Sequence, residues 1–558
     1  MKALNASALT GLLGSPRGQL LNQIWDFIVI GAGSAGCVMA NRLSADPAKR
    51  VLLLEAGGLD NDLRLRIPAG LVSAIFDDRF NWKYPALADP SRNGYQDQWS
   101  GGKCLGGSSS INGMLFIRGA PSDYDRWAEL GCTGWDYSSV LPYFRQIESF
   151  EGGSDHYRGG EGPLAVTFPA TKPMLVDEFI STAQECGHPR NPDYNGAEQA
   201  GVALAQATIR NGGRDSSSRA FLEAVQQRPN LEVRTSAQVT RLLFDGLRIS
   251  GVQYVRNGAD ESAECSGEVI LSAGALGSPR ILMLSGIGPE SLLRSVGVTP
   301  VLDSPEVGHN LMEHPAVYIS AKVSVPTFNR AARWYRLPWV MLEWALFGRG
   351  PAAVGTVLAQ VLCRSSKNSG SPDLQLLLSL VTFEINKNTG KPVLSKDDGI
   401  AIACCLLDPE ARGTVRITSA NPADPPIVDH KLFGCDADLS RLAEGAAKAL
   451  EILQSAPLKE FIRKIECPVA IDAPAEDWNE FLQMSGFRGD HPCGTCRMGG
   501  DKLSVVDPRL RVRGIEGLRI VDASIIPIIP KANTNATVMM IAEKAAAMIQ
   551  EDYQTTPA

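Results

Sequence analysis

The chain has 558 residues, a formal net charge of −7 and 44% hydrophobic residues. That is enough chain for more than one domain and a sizeable core. The acidic balance argues against a nucleic-acid partner, and no apolar run approaches the ~18 residues of a membrane span.

Residues 1–25 read as an extension packed on the surface or partly disordered. Leu9 to Leu13 is too short and too interrupted by glycine for a signal peptide. Phe27 to Ile30 is a short apolar run of the kind found in buried parallel strands. Gly31, Gly33 and Gly36 follow at G-x-G-x-x-G spacing, and Gly36 opens an apparent helix reaching about Asp46-Pro47. In such a loop the first glycine permits a tight turn, the second lets backbone approach a pyrophosphate, and the third lets helix pack on strand. The helix N-terminus then offers free N–H groups to the anion. A second apolar strand, Val51 to Leu54, ends in Glu55, 24 positions after Gly31. An acidic side chain there can accept hydrogen bonds from a ribose; the competing reading is a Gly-rich turn with a surface glutamate.

Residues 90–125 are loop-rich, with Gly101-Gly102 and Gly106-Gly107-Ser-Ser-Ser110. Leu231 to Val233 and Val252 to Tyr254 read as strands around Val239 to Phe244, and Val269 to Ser272 as another buried strand. After about Asn310 the pattern changes. Ala316 to Val323, Leu374 to Leu380 and Ile400 to Leu407 are short strands separated by Pro, Gly and Asp, which suits an antiparallel sheet. Asp438 to Leu453 has a helix pattern, and Leu518 to Val521 returns to a buried strand. A last helix is expected over about Thr537 to Gln550, with Val538, Ile541, Ala542, Ala545 and Ile549 on one face. Nucleotide-type elements thus stand at the start, middle and end, with antiparallel elements between them, in one interleaved α/β body.

Three C-terminal motifs attract attention: His491-Pro-Cys-Gly-Thr-Cys-Arg-Met-Gly499, Asp522-Ala-Ser524 and Asn533-Thr-Asn535. Cys493 and Cys496 form a C-x-x-C, which can be a redox dithiol or half a zinc site. No second cysteine pair has matching spacing and no βαβ pattern precedes it, so no metal site is expected. The 12 cysteines lack a framework and read as buried thiols of a reducing, cytoplasmic compartment. Arg333 to Phe347 is rich in Trp and Arg. It reads as a lid over a substrate channel, as a patch against membrane or partner, or as a buried helix with two surface arginines.

Two longer signatures carry a resemblance. One is Gly102-Lys-Cys-Leu-Gly-Gly107-Ser-Ser-Ser-Ile-Asn112-Gly-Met-Leu-Phe116, continuing through Gly119 to Asp125. The other is Gly274-Ala-Leu-Gly-Ser278-Pro279-Arg-Ile-Leu-Met-Leu-Ser285-Gly-Ile-Gly288. With the glycine loop and the C-terminal motifs, they make the chain resemble the glucose-methanol-choline family of FAD-dependent oxidoreductases from Asp26 to Ile549. Asn191 to Gly196, Thr208 to Asn211 and the Trp/Arg-rich stretch are similar to its choline and sorbose dehydrogenase branch. The resemblance implies FAD rather than NAD, and a Rossmann-type FAD-binding domain over 26–160, 228–310 and 485–558. A substrate domain on a large antiparallel sheet would take 161–227 and 311–484.

Position by position, the resemblance assigns Gly31, Gly33, Ser34, Gly36 and Glu55 to the ADP part of the cofactor. Trp82, Leu105, Gly107, Asn112, Gly113, Met114 and Leu115 match stretches lining the flavin. Val239 matches a backbone group pairing with adenine, and Asp522 and Ala523 a segment near the diphosphate and ribityl chain. Asn535 matches a residue beside the flavin pyrimidine. His491 matches the family's catalytic histidine and Asn533 its partner. Some members attach FAD through a histidine where this chain has Ile111, so non-covalent FAD is expected.

The chemistry follows from those groups. Flavin can take a hydride from an alcohol carbon, but the protein must manage the hydroxyl proton. Neutral imidazole is a suitable base, with a reference pKa of ~6.5. The Asn533 amide cannot be a base; it can bond the substrate oxygen, or cap the last helix. The expected activity is oxidation of a primary alcohol to an aldehyde, with electrons passed to a quinone, a carrier or O₂. The alternatives are an O₂-using oxidase of furfuryl or aryl alcohols, a hydroxynitrile lyase or a photodecarboxylase. Substrate and oligomeric state are not legible.

Overall fold

In the computed structural model residues 24–385 and 392–555 are described, so the expected extension lies almost wholly outside the described residues. The first apolar run forms the strand Trp25–Ile30. It pairs in parallel with Val51–Leu54 on one side and with the end of Ala259–Leu271 on the other. Leu231–Arg234 and Leu518–Ile520 extend this sheet at its two ends, again in parallel. Val51–Leu54 is buried throughout, as a strand covered on both faces must be.

The helix Ser34–Leu43 covers one face. It ends at Leu43, short of the expected Asp46-Pro47, with Ser44 as its C-cap. The last helix, Thr534–Thr555, begins three residues earlier than its apolar periodicity indicates. The two helices are tied by Arg42, whose Nε and Nη2 both donate to the Glu543 carboxylate. Ala259–Leu271 also belongs to a second arrangement. Its first half pairs antiparallel with Arg248–Arg256, which pairs with Ala237–Asp245. The expected Val252 to Tyr254 is the centre of a nine-residue strand with charged ends.

The antiparallel sheet runs in the order Ile462–Ile465, Pro315–Val323, Gly399–Leu406, Leu374–Ser379, Val357–Cys363, Gly201–Leu204. Side chains alternate between faces. Ile402, Cys404, Leu374 and Leu376 pack under the helix Asp436–Gln454 through Leu442, Ala446 and Leu450. Ala403, Cys405, Leu362 and Leu377 point the other way, onto Leu115, Ile117 and Ala532. That second face closes one side of the site.

A buried charge cluster joins loop and sheet. Glu148 accepts from Arg118 Nη2 at 2.5 Å, Arg158 Nε at 2.9 Å and the Gly159 N–H at 2.8 Å. Arg158 Nη1 also reaches Asp193 and Gln206. Glu148 and Arg158 are fully buried. Removing the shared anion leaves the buried Arg118 guanidinium without a carboxylate and Arg158 with Asp193 alone. Glu148→Gln should therefore lower unfolding stability by about 3 kcal/mol, the scale for breaking a buried pair, measured by urea denaturation of the wild type and variant side by side.

Candidate active site and cofactor cradle

The three glycines of the first loop do different work. A Cβ on Gly31, whose φ is +95°, would lie 2.5 Å from the Ser272 carbonyl oxygen, and one on Gly36 only 1.8 Å from that of Gly31. A Cβ on Gly33 would meet nothing within 4 Å. Gly31 and Gly36 are thus required for close packing, while Gly33 keeps backbone open to an approaching group. The helix that follows has no side-chain cap and no acid in its first turn, so its N-terminal N–H groups favour an anion.

Glu55 is buried, not the surface glutamate of the competing reading. Its oxygens accept from the Ala32 N–H at 2.8 Å and the Gly57 N–H at 2.7 Å. Burial pushes the carboxyl up to about 7 against the pull of those donors. Each oxygen keeps a lone pair for a ribose hydroxyl.

The second loop lies on the first. The Gly106 N–H donates to the Ala32 carbonyl at 2.7 Å, and a Cβ on Gly107 would sit 2.7 Å from Gly33 Cα. The Leu105 N–H bonds Gly58, and Trp82, paired to Gly101, carries the Lys103 ammonium over its ring. Asn112 Oδ1 accepts from the Met114 N–H and from Arg214 Nη1 at 2.7 Å. Met114 is held at φ +63°, a left-handed conformation that costs an ordinary residue about 1 kcal/mol or more. Gly113 faces Thr356, and Leu115 bridges to Ala207. Arg214 is buried and was not singled out from sequence; it orients Asn112.

From the far end of the chain, Ser34 Oγ donates to Asn535 Oδ1 at 2.7 Å. Asp522 accepts from the N–H of Gly274 and from the Ser278 hydroxyl, and the Ala523 carbonyl accepts from Gly494. Val239 stands two residues beyond Ala237, whose N–H bonds the Glu55 carbonyl. The residues expected to hold FAD therefore surround one loop junction, and the open Gly33, uncapped helix and Glu55 lone pairs suit a dinucleotide. Ile111 is buried in an apolar cluster with Leu65, Ala74, Phe80 and Cys104. Cys493 and Cys496 are both buried free thiols, and no cluster of three metal-ligating side chains exists among the described residues.

His491 is placed by an antiparallel contact between Met312 and Cys493 and by the Gly489 N–H bonding the His314 carbonyl. The pairing sets Glu313 and His314 beside His491, and neither was singled out from sequence. Glu313 accepts the His491 backbone N–H at 2.8 Å, and also that of His314. Burial raises its carboxyl to about 8.

The contacts of the two rings are consistent with one assignment of their protons, with the Pro530 carbonyl as a second backbone acceptor for His314. His314 Nε2 lies 3.1 Å from the Leu407 carbonyl oxygen, which can only accept, so Nε2 carries the proton. In a neutral ring Nδ1 must then be bare. His314 Nδ1 is 3.0 Å from His491 Nδ1, so His491 donates from Nδ1. Its Nε2 is therefore unprotonated and accepts from Asn533 Nδ2 at 2.8 Å. The Asn533 amide is oriented in turn by Gln375 Nε2, which lies 3.4 Å from its Oδ1. The side chain thus faces His491 rather than folding back to cap the last helix. Burial holds His491 at about 4 and His314 well below the ordinary imidazole value, below the reference value used in reading the sequence. Both rings are neutral near pH 7.

A parallel sheet with a glycine loop, joined to an antiparallel sheet that presents a neutral imidazole beside an amide, defines a dinucleotide-binding oxidoreductase. The family models described as GMC oxidoreductase match residues 25–316 and 409–542, and the chain belongs to the GMC oxidoreductase family, whose members are FAD-dependent alcohol oxidoreductases. It is 36% identical to the oxygen-dependent choline dehydrogenase of Vibrio vulnificus, over 96% of each chain. It is 36% identical to the mitochondrial choline dehydrogenase of Homo sapiens, over 94% of this chain and 90% of the relative. Among solved structures, pyridoxine 4-oxidase from Mesorbium loti superposes with a TM-score of 0.85 at 29% identity, covering 96% of this chain and 100% of its own. A formate oxidase gives 0.88 at 25% identity, covering 96% and 99%.

Because Gly33, alone of the three glycines of the first loop, faces open space, Gly33→Val should fold and yet fail to hold FAD. The expected protein keeps the far-UV circular dichroism of the wild type and elutes without flavin absorbance. Full flavin content in this variant would mean that the pyrophosphate does not approach Gly33.

Proposed function

We propose that the chain oxidises a primary alcohol to an aldehyde with His491 as base and Asn533 as the group that holds the substrate oxygen. The observation that carries this reading is the bare Nε2 of His491 facing the Asn533 amide. Bound FAD supplies the acceptor for the hydride. The residues for it are those around Gly33, Glu55, Gly107, Asn112, Asp522 and Asn535, and with Ile111 at the linking position it is held without a covalent bond. A non-NAD acceptor, whether O₂, a quinone or a carrier, takes the electrons onward.

A neutral imidazole nitrogen has one lone pair. A substrate hydroxyl bonding Nε2 must therefore displace the Asn533 N–H. The amide has two such donors, and those left free can bond the alcohol oxygen as negative charge develops on it. As Nε2 takes the proton, His491 becomes an imidazolium whose Nδ1–H is already accepted by His314. The His314 ring keeps its own proton on Nε2 because Leu407 offers only an acceptor. Gln375 is fully buried beside Asn533 and Gln360 is fully buried beside Gln375, and Gln375 Oε1 has no hydrogen-bond partner among the described residues. That oxygen suits a second polar group on the substrate.

The pH dependence has a definite sign. His491 must be neutral to act, and its burial places the protonation near 4. Anaerobic flavin reduction should be flat from pH 6 to 8 and fall below about pH 5 as Nε2 is protonated. An inflection near 6.5 in stopped-flow traces would contradict the buried environment described for the ring.

His491→Ala should slow flavin reduction by ~10²-fold or more, the usual loss for a general base, while flavin content is retained. Asn533→Ala should slow the same step by about 3 kcal/mol in transition-state terms, as for other oxyanion donors. Native reduction rates in both variants would remove the base and the orienting group from this site.

His314→Leu tests the tautomer. Without an acceptor for Nδ1–H, part of the His491 population should move its proton to Nε2. A loss of roughly tenfold in reduction rate is expected, the scale of one hydrogen bond. Nitrogen-15 NMR of His491 should show a mixed tautomer in place of a single Nδ1–H form. An unchanged single tautomer would show that something other than His314 sets it.

A further inference from the structure

The helix Leu337–Phe347 has no buried residue, contrary to the reading of this stretch as a buried helix. Apart from Pro338 and Glu343 every one of its 11 residues is apolar. Trp339 is 73% exposed, Leu346 64% and Phe347 63%, and Trp334 just before the helix is 83% exposed. A helix apolar on all sides is ordinarily enclosed, and contiguous exposed apolar surface of this kind marks an interaction site. The segment is anchored, not loose. Trp344 Nε1 donates to the Gly212 carbonyl at 2.8 Å, and Gly348 packs so closely on Gly212 that a Cβ there would lie 2.8 Å from the Asn211 oxygen.

Charge is arranged along the same segment. Arg330 is paired with Asp398 and Arg349 with Glu343. Arg333 and Arg336 are exposed, and neither has a carboxylate within ion-pair distance among the described residues. Arg333 reaches only Tyr335 and the Lys396 carbonyl. A chain of net charge −7 therefore presents two exposed guanidiniums without an ion-pair partner among the described residues beside an exposed apolar helix. Trp, Tyr and Arg next to an apolar helix is the pattern of the boundary between headgroups and acyl chains.

We propose that residues 333–347 dock this protein on the surface of an anionic lipid bilayer. The helix lies in the interface, and Arg333 and Arg336 meet lipid phosphates. At 11 residues the helix is about 16 Å long, far short of the ~30 Å hydrocarbon core, so it rests on the bilayer and does not cross it. A rigid protein groove covers one stripe of a helix, whereas fluid acyl chains can wrap a helix that is apolar on every exposed side. The chain leaving the helix reaches Gly355, where a Cβ would lie 3.2 Å from the Gly113 oxygen. The docked face and the cofactor loop are thus two ends of one short strap. The proposal does not depend on the base assigned to His491.

The test is co-sedimentation of the flavin-loaded protein with vesicles of phosphatidylcholine and of phosphatidylcholine with one-quarter phosphatidylglycerol. Binding to the second should be at least ~10-fold stronger, since each basic residue near an anionic surface adds to attraction. Trp339→Ser combined with Phe347→Ser should reduce binding to both vesicles about tenfold or more. Arg333→Glu with Arg336→Glu should abolish the preference for phosphatidylglycerol. Both variants should keep their flavin absorbance, since no substituted side chain belongs to the core. The proposal is overturned if neither vesicle sediments the protein, or if the double variants bind as the wild type does. It is also overturned if light scattering shows a dimer that the serine substitutions dissolve, because a second copy would then cover the helix.

Discussion

The site depends on a group that can act in only one direction. The Leu407 carbonyl accepts and cannot donate, and its contact with His314 Nε2 is the anchor for the proton assignment of the two rings. Leu407 directly follows the strand Gly399–Leu406, and His314 directly precedes the strand Pro315–Val323. These two strands are neighbours in the antiparallel sheet, so the sheet register itself delivers carbonyl to imidazole. A slip of one residue would turn the pair away from each other. The surroundings of His491 are in this sense written into a backbone pairing outside the parallel sheet.

The two sheets contribute different things. The parallel sheet and its glycine loop provide backbone N–H groups and open space near Gly33. The antiparallel sheet provides side chains in a dry, neutral setting. Desolvation keeps His491 and His314 uncharged near neutral pH. The buried Glu148 cluster links the two halves. Arg118 extends from the loop that bears Asn112, and Arg158 reaches Asp193 and Gln206 beside the first strand of the antiparallel sheet.

Much of this was legible in the residues, and for local reasons. The glycine spacing, Val51–Leu54 and Glu55 report on short segments whose geometry their own sequence sets. His491 and Asn533 could be singled out because they sit in the C-terminal motifs His491–Gly499 and Asn533–Asn535. Glu313 and His314 were not, since their roles arise from pairing with residues about 180 positions away. The available signal was weak: a Glu-His-Pro directly before an alternating strand, in a chain with six histidines. Gln360 and Gln375 could have been noticed as polar residues inside apolar strands. The Trp/Arg-rich stretch admits a buried helix among its three readings because apolar side chains usually find protein partners; here the backbone carries them outward. The limits of the last helix were misjudged because Thr534 to Ala536 lack a strong apolar face, although Asn533 already marks its start.

The tie between the two ends of the chain has a consequence for biosynthesis. The first helix buries Ala35, Cys37, Val38 and Met39, and part of that cover is the last helix, held through Ser34–Asn535 and Arg42–Glu543. Roughly 490 residues separate them, so at ribosomal speeds the first helix waits on the order of 25 to 100 s for its lid. Throughout that interval the nascent chain carries uncovered apolar surface near its beginning, and the strand Leu518–Ile520 has not yet joined the sheet. Capture of a dinucleotide at Ser34 and Gly33 must then wait until the strand Leu518–Ile520 and the last helix have been made and have joined the first.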